Sequence, residues 1–207
     1  LAQVLPPAGV VPRAEELAPR QVVPPTDAAL PAAPASIPRE LAKSDDDLRI
    51  EIRRFELDAT APPPLVAALP GLTRDLLGAD KGFEALSMAR ARITRFLQSE
   101  LGYYLGYAYV PEQTLRDGVV RIAVLEGRLD RVILRWPERG LPVKREVVQA
   151  YLDRLKPDAV LLVRDVERVV FLVNDLRGMR ARFDVQPGSR PGTASLVVTP
   201  EPEGVWS

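Results

Sequence analysis

Side chains able to do covalent or proton-transfer chemistry at neutral pH are scarce in this sequence. Its 207 residues include no Cys and no His. That removes thiolate nucleophiles, Zn–Cys sites, iron–sulfur clusters, Ser-His-Asp triads and imidazole metal ligands together. Carboxylates remain. Asp45-Asp46-Asp47 is a run of three, but neighbours on an extended chain point in alternating directions and do not converge on one cation, so the run reads as a solvated boundary. Glu112, Asp117 and Glu126 fall in the expected turns of a hairpin, not across a cleft as paired acid–base work requires. The reading is therefore no enzyme, with no catalytic residue, metal site or cofactor. Twenty-eight basic residues balance 28 acidic ones, so there is no surplus of cations to neutralise phosphates and no nucleic-acid partner is expected. The longest apolar run, Ala159-Val160-Leu161-Leu162-Val163, is far too short to cross a bilayer as a helix.

If chemistry is absent, function must lie in surfaces, and surfaces depend on the elements. Nine prolines before position 40 fix φ and remove donors every few residues. Residues 1–46 therefore read as a Pro-rich linker, largely extended or disordered, with at most one helical turn near Arg13–Leu17. From Leu48 the pattern becomes periodic. Ile50 and Ile52 alternate with charges, then Phe55 and Leu57 continue the apolar face out of phase, which predicts a β-bulge near Arg53-Arg54. Leu65 to Leu77 has helical spacing interrupted at Pro70-Gly71. Phe83, Leu86, Ala89, Ile93, Phe96, Leu97 and Leu101 form a cleaner helix with Arg90, Arg92, Arg95 and Gln98 on its wet side, stopped by Gly102. Short strands at 107–110 and 119–125 follow. Strand, helix, helix, strand, strand then repeats between Val132 and Val198, with Gly106 and Gly178 starting matching strands and Gly118 and Gly192 preceding their partners, both pairs offset by about 73 residues.

The motif that carries identity runs Gly106-Tyr107-Ala108-Tyr109-Val110-Pro111-Glu112-Gln113, then Asp117-Gly118 and Val124-Leu125-Glu126-Gly127. It resembles the first POTRA domain of the outer-membrane transporters of two-partner secretion, a branch of the Omp85 superfamily. The second unit is similar to their second POTRA domain chiefly in element order. The resemblance implies an α+β fold of two tandem βααββ POTRA domains, each a three-stranded mixed sheet covered on one face by two helices. POTRA domain 1 is expected at 47–127 and domain 2 at 128–202, with 203–207 beginning the connection to an absent membrane β-barrel. It further implies the periplasmic portion of a Gram-negative outer-membrane protein, partnered by a secreted exoprotein and by its own C-terminal barrel. Family members often carry a barrel-plugging N-terminal helix, which the prolines of this leader do not favour.

A small sheet leaves rows of unpaired N–H and C=O groups at its rims, and an extended polypeptide can satisfy them by strand addition. The strands after the second helices are the candidate edges: Tyr107, Ala108, Tyr109 and Val110 in the first unit, Arg180, Arg182 and Phe183 in the second. Tyr107 and Tyr109 read equally as rim residues, and Arg180 and Arg182 as charges that discourage sheet-to-sheet aggregation. Val119 to Leu125 is apolar on both faces, which predicts a central strand. Three roles stay open at this level: recognition and delivery of an exoprotein, assembly of outer-membrane proteins, and a spacer that gates the barrel.

Overall fold

Prolines interrupt the leader too often for a helix, yet they leave gaps long enough for short strands. Two form: β1 (Gln3–Leu5), ended by Pro6, and β2 (Arg20–Val22), bracketed by Pro19 and Pro24. The computed structural model describes residues 3–5, 20–22, 48–111 and 113–204. The helical turn expected at 13–17, the acidic run at 45–47 and residues 205–207 lie outside the described residues. The described residues fall into two compact units. One holds β1 with residues 48–101 and 106–126; the other holds β2 with 102–105 and 127–204. The residues of the Pro-rich leader that are described, 3–5 and 20–22, are extended, each paired with a strand of one unit.

In the first unit the expected bulge divides one strand into two with different partners. β3 (Ile50–Ile52) pairs antiparallel with β5 (Gly78–Lys81), and β4 (Arg54–Leu57) runs parallel to β8 (Val119–Leu125). At the break the N–H groups of Arg53 and Arg54 both point at the carbonyl of Gly118, at 2.8 and 3.4 Å, two residues opposite one as a bulge requires. β8 is central, flanked by β4 and by antiparallel β6 (Tyr107–Tyr109). A short β7 (Gln113–Leu115) pairs antiparallel with β1. Val120, Ile122 and Val124 point from β8 into the core beneath α1 (Pro63–Thr73) and α2 (Phe83–Arg95).

Two expectations for these helices are corrected. Pro70 does not interrupt α1; the N–H it lacks would have bonded Val66, and both residues lie on the exposed side, where water serves the freed carbonyl. Arg90 is not on the wet side but 2% exposed. It sits four residues after Leu86 and three before Ile93, on the apolar stripe itself. α2 then loosens into a π-turn (Phe96–Glu100) closed by Leu101 N–H to the Phe96 carbonyl, before Gly102 at φ 67°.

The second unit has the sheet order β2-β10-β11-β9. β9 (Arg128–Leu134) runs parallel to β11 (Thr193–Pro202), and β10 (Met179–Pro187) is antiparallel to it. α3 (Arg145–Leu152) and α4 (Val163–Asn174) cover one face. Val166, Val169, Val170 and Val173 from α4 meet Met179, Ala181 and Phe183 from β10 and Leu196 and Val198 from β11 in one core, each large side chain contributing about 1.5–3 kcal/mol on burial. Residues 102–105 join this unit rather than the first, through Tyr104 N–H to Leu161 O at 2.8 Å and Val163 N–H to Gly102 O at 2.9 Å.

Candidate strand-addition edges

Backbone direction alternates along a strand, so a single bond fixes which groups face outward. On β6 the Ala108 N–H leaves the sheet and donates to Thr94 Oγ1 of α2 at 3.0 Å. Tyr107 and Tyr109 therefore turn their backbone groups to β8, and Gly106, Ala108 and Val110 face outward. The Gly106 carbonyl is taken as well, by Gln98 Nε2 at 2.8 Å. The first unit's edge strand is thus three residues long with two of its outward groups bonded to its own helix. Ala108 and Val110 are buried side chains, 0% and 1% exposed. Tyr107 and Tyr109 lie half-buried on the opposite face, stacked with ring centroids 6.5 Å apart.

Pro111 ends this strand for a definite reason. Continuing the register would set it opposite Arg121, and it has no N–H to give. The side chain of Gln113 takes over: its Oε1 accepts from Arg121 N–H and its Nε2 donates to Arg121 O, both at 2.8 Å. Gln113 itself is 5% exposed. The Pro-Glu-Gln motif is a strand stop followed by an amide that repairs the ladder. Beside it an open groove of about 680 Å³ is lined by Arg54, Glu56, Gln113, Thr114, Arg116, Val119 and Arg121. The carboxylate among these described residues, Glu56, is bonded to Arg54 at 2.6 Å.

The second unit repeats the helix-to-edge bond at the matching residue: Ala181 N–H donates to Asn174 Oδ1 at 2.9 Å. Odd-numbered positions of β10 therefore face outward. The edge continues for six residues more, and β2 occupies it in antiparallel register, Phe183 opposite Val22 and Val185 opposite Arg20. Pro187, next at the same parity, has its missing N–H on the outer side, where it costs β11 nothing. By the same alternation Pro200 and Pro202 of β11 sit opposite outward positions Ala181 and Met179, so neither proline removes a bond between the two strands.

The expected binding residues of this edge divide by face. Phe183 is 1% exposed and belongs to the core, so its side chain is not offered to a partner; only its backbone faces the edge. Arg180 and Arg182 project from the uncovered face, with Arg182 Nε 3.2 Å from Asp184 Oδ2. Sequence reasoning found the strand but missed Asn174, Thr94, Gln98 and Gln113. The signal was available only in part: an amide or hydroxyl near a helix C-terminus has many uses, and its target depends on tertiary placement.

Electrostatic anchoring lies away from the edges. Arg92 forks onto Asp75 at 2.6 and 3.0 Å and holds its carboxyl below the usual range, chiefly by that hydrogen bond. Asp130 is likewise lowered, first by the backbone N–H of Ser189, which ties the 188–192 turn to β9. Among the described residues no group of three His, Cys, Asp or Glu is placed to hold a metal ion.

Comparison with known proteins agrees with this geometry. Residues 50–127 match the POTRA domain family of the ShlB type. The outer membrane transporter CdiB of Escherichia coli is 32% identical over 105 residues, covering 49% of this chain and 16% of the relative. The heme/hemopexin transporter protein HuxB of Haemophilus influenzae is 20% identical over 158 residues, covering 76% of this chain and 27% of the relative. Among solved structures, CdiB from Escherichia coli superposes with a TM-score of 0.61 at 23% identity, over 83% of this chain and 31% of that one. The N-terminal domain of Omp85 from Thermosynechococcus elongatus gives 0.56 at 20% identity, over 74% and 67%. The chain thus spans only 16% of the length of the CdiB sequences it matches in E. coli. Residues 50–127 thus match the ShlB-type POTRA domain in sequence, and the chain is similar in sequence and in fold to part of the CdiB outer membrane transporters.

Proposed function

We propose that this chain is the client-recognition part of a two-partner secretion transporter, binding the N-terminal secretion domain of a partner exoprotein by strand addition and passing it to a membrane β-barrel. POTRA domains of outer-membrane transporters are periplasmic, and no helix among the described residues is long and apolar enough to cross a membrane. The observation that carries the reading is the β10 edge. It is long, its outward backbone groups at Phe183 and Val185 are not used by its own helices, and it accepts an antiparallel strand, as β2 demonstrates. Main-chain bonds of that kind give affinity with little regard to sequence, which suits an unfolded client.

Delivery to a dedicated exoprotein is separated from general outer-membrane protein assembly by client range, and from a spacer role by any affinity at all. The test is a calorimetric titration with the N-terminal domain of a candidate secreted exoprotein from the same organism, against unfolded barrel precursors as the comparison. Val185→Pro removes an outward donor while leaving the β10–β11 bonds intact, since those use the even positions. Saturable binding to the exoprotein domain alone, lost in Val185→Pro and kept in Val185→Ala, is the expected result. No binding at high concentration would leave the spacer role.

A further inference from the structure

The β10 edge that the proposed function assigns to the client is already filled by the chain itself. Its accessible window is bounded at both ends. On one side the Ala181 N–H is committed to Asn174, and on the other Pro187 has no N–H to offer. Only Phe183 and Val185 remain outward between them, and these are the positions that face Val22 and Arg20. The leader fits that window in length: Pro19 and Pro24 bracket it and confine any strand there to four residues. We infer that β2 is a tethered competitor, a built-in stand-in for the client that keeps the β10 edge closed until a longer strand displaces it. This inference rests on the strand-addition reading of that edge.

The physical logic is one of effective concentration against bond number. A strand carried on the same chain is present at roughly millimolar effective concentration. A segment this short makes few ladder bonds, each contributing little net stability, so its intrinsic dissociation constant is on the order of 0.1 mM. The ratio gives an edge blocked about tenfold against weak or accidental strands. A client segment that also engages neighbouring surface overcomes that factor. The closed edge also avoids the sheet-to-sheet aggregation to which an exposed rim is prone.

The test uses the whole chain with Val22→Pro and, separately, Arg20→Pro; each removes a leader N–H aimed at β10. Two readouts are taken: amide exchange at Phe183 and Val185 by NMR, and binding of a fluorescein-labelled peptide carrying residues 16–26. The expected result is faster exchange at those two amides alone and about tenfold tighter peptide binding in both variants. Unchanged exchange and equal peptide affinity would show that β2 does not close the edge, overturning the inference while leaving strand addition standing. Faster exchange with no peptide binding to any form would instead show that the opened edge accepts no strand, and both the inference and the reading beneath it would fall.

Discussion

Replacing Gln113 tests the claim that one side-chain amide substitutes for a missing stretch of β-ladder. Its two bonds to Arg121 are 2.8 Å long, and Nε2 also reaches the Pro111 carbonyl at 3.2 Å. A neutral bond contributes about 1 kcal/mol net, and a group left without a partner adds a penalty of similar size when water cannot reach it. Arg121 borders an open groove, so water recovers part of the loss, and Gln113→Ala should destabilise the first unit by about 2 kcal/mol. Both tryptophans, Trp136 and Trp206, lie beyond residue 127, so fluorescence does not report on this unit. Native-state amide exchange does. The Val120 and Ile122 amides should exchange about 30-fold faster, since each 1.4 kcal/mol is a factor of ten, while amides of β11 stay unchanged. Gln113→Met keeps the volume and removes the amide, and it should be as damaging as Ala. An acceleration under about threefold, or recovery by Met, would refute the ladder-repair reasoning and leave Gln113 a packing residue.

Asn174→Ala should cost about 1–2 kcal/mol and specifically expose the Ala181 amide, since the side chain both accepts from Ala181 and donates to Val170 O at 3.1 Å; exchange at Ala181 against its neighbours checks it. Gly127→Ala should cost upwards of about 2 kcal/mol, because φ is 77° and a Cβ would lie 2.7 Å from Leu105 Cβ and 2.9 Å from its backbone; urea unfolding followed through Trp136 measures it. Phe183→Ala should cost about 3–5 kcal/mol as a core truncation, so any loss of client binding must come with a lowered Trp136 unfolding midpoint. Asp130 and Asp75 have folded pKa values below the unfolded carboxyl value. Their stabilisation is therefore complete above about pH 4 and is lost as pH falls through the lower folded values. Asp130→Asn should flatten that acid limb in a melting-temperature series from pH 2 to 7, and with no His in the chain the plateau should show no step near pH 6.5.

Periodic elements were legible because their signal repeats within one window. α4 places Val166, Val169, Val170 and Val173 on one stripe, and β8 is apolar on both faces, as its central position demands. The bulge was legible as well, because a change of parity between Ile52 and Phe55 admits few explanations. Illegible were strands defined by a partner rather than by themselves. β5 reads Gly-Ala-Asp-Lys, with no alternation at all, and it is a strand only because β3 lies beside it. β1 and β2 lie among prolines that argue against any ladder, and their three-residue gaps become visible only when an edge of matching length is known. Arg90 departs for another reason: its charge favours the wet side, but its helical position, four after Leu86, puts it on the apolar stripe.

The two units share a device and differ in what it leaves over. In both, a helix side chain captures the outward N–H of an alanine near the start of the strand, Thr94 for Ala108 and Asn174 for Ala181. On β6 that capture, joined by Gln98 on Gly106 and by the stop at Pro111, consumes most of a three-residue edge. A client strand there would first have to break the bonds to Thr94 of α2 and to Gln98 of the π-turn after it, losing about 2 kcal/mol before its own ladder contributed. On β10, nine residues long, the same capture uses only the first part, and Phe183 to Val185 beyond it pair with β2. If the chain takes a client by strand addition, as proposed, the second unit is the one with an edge suited to it. The first unit's contribution to a client has to come through side chains, and the stacked Tyr107 and Tyr109 on its uncovered face are the surface suited to adaptable contact without any ladder.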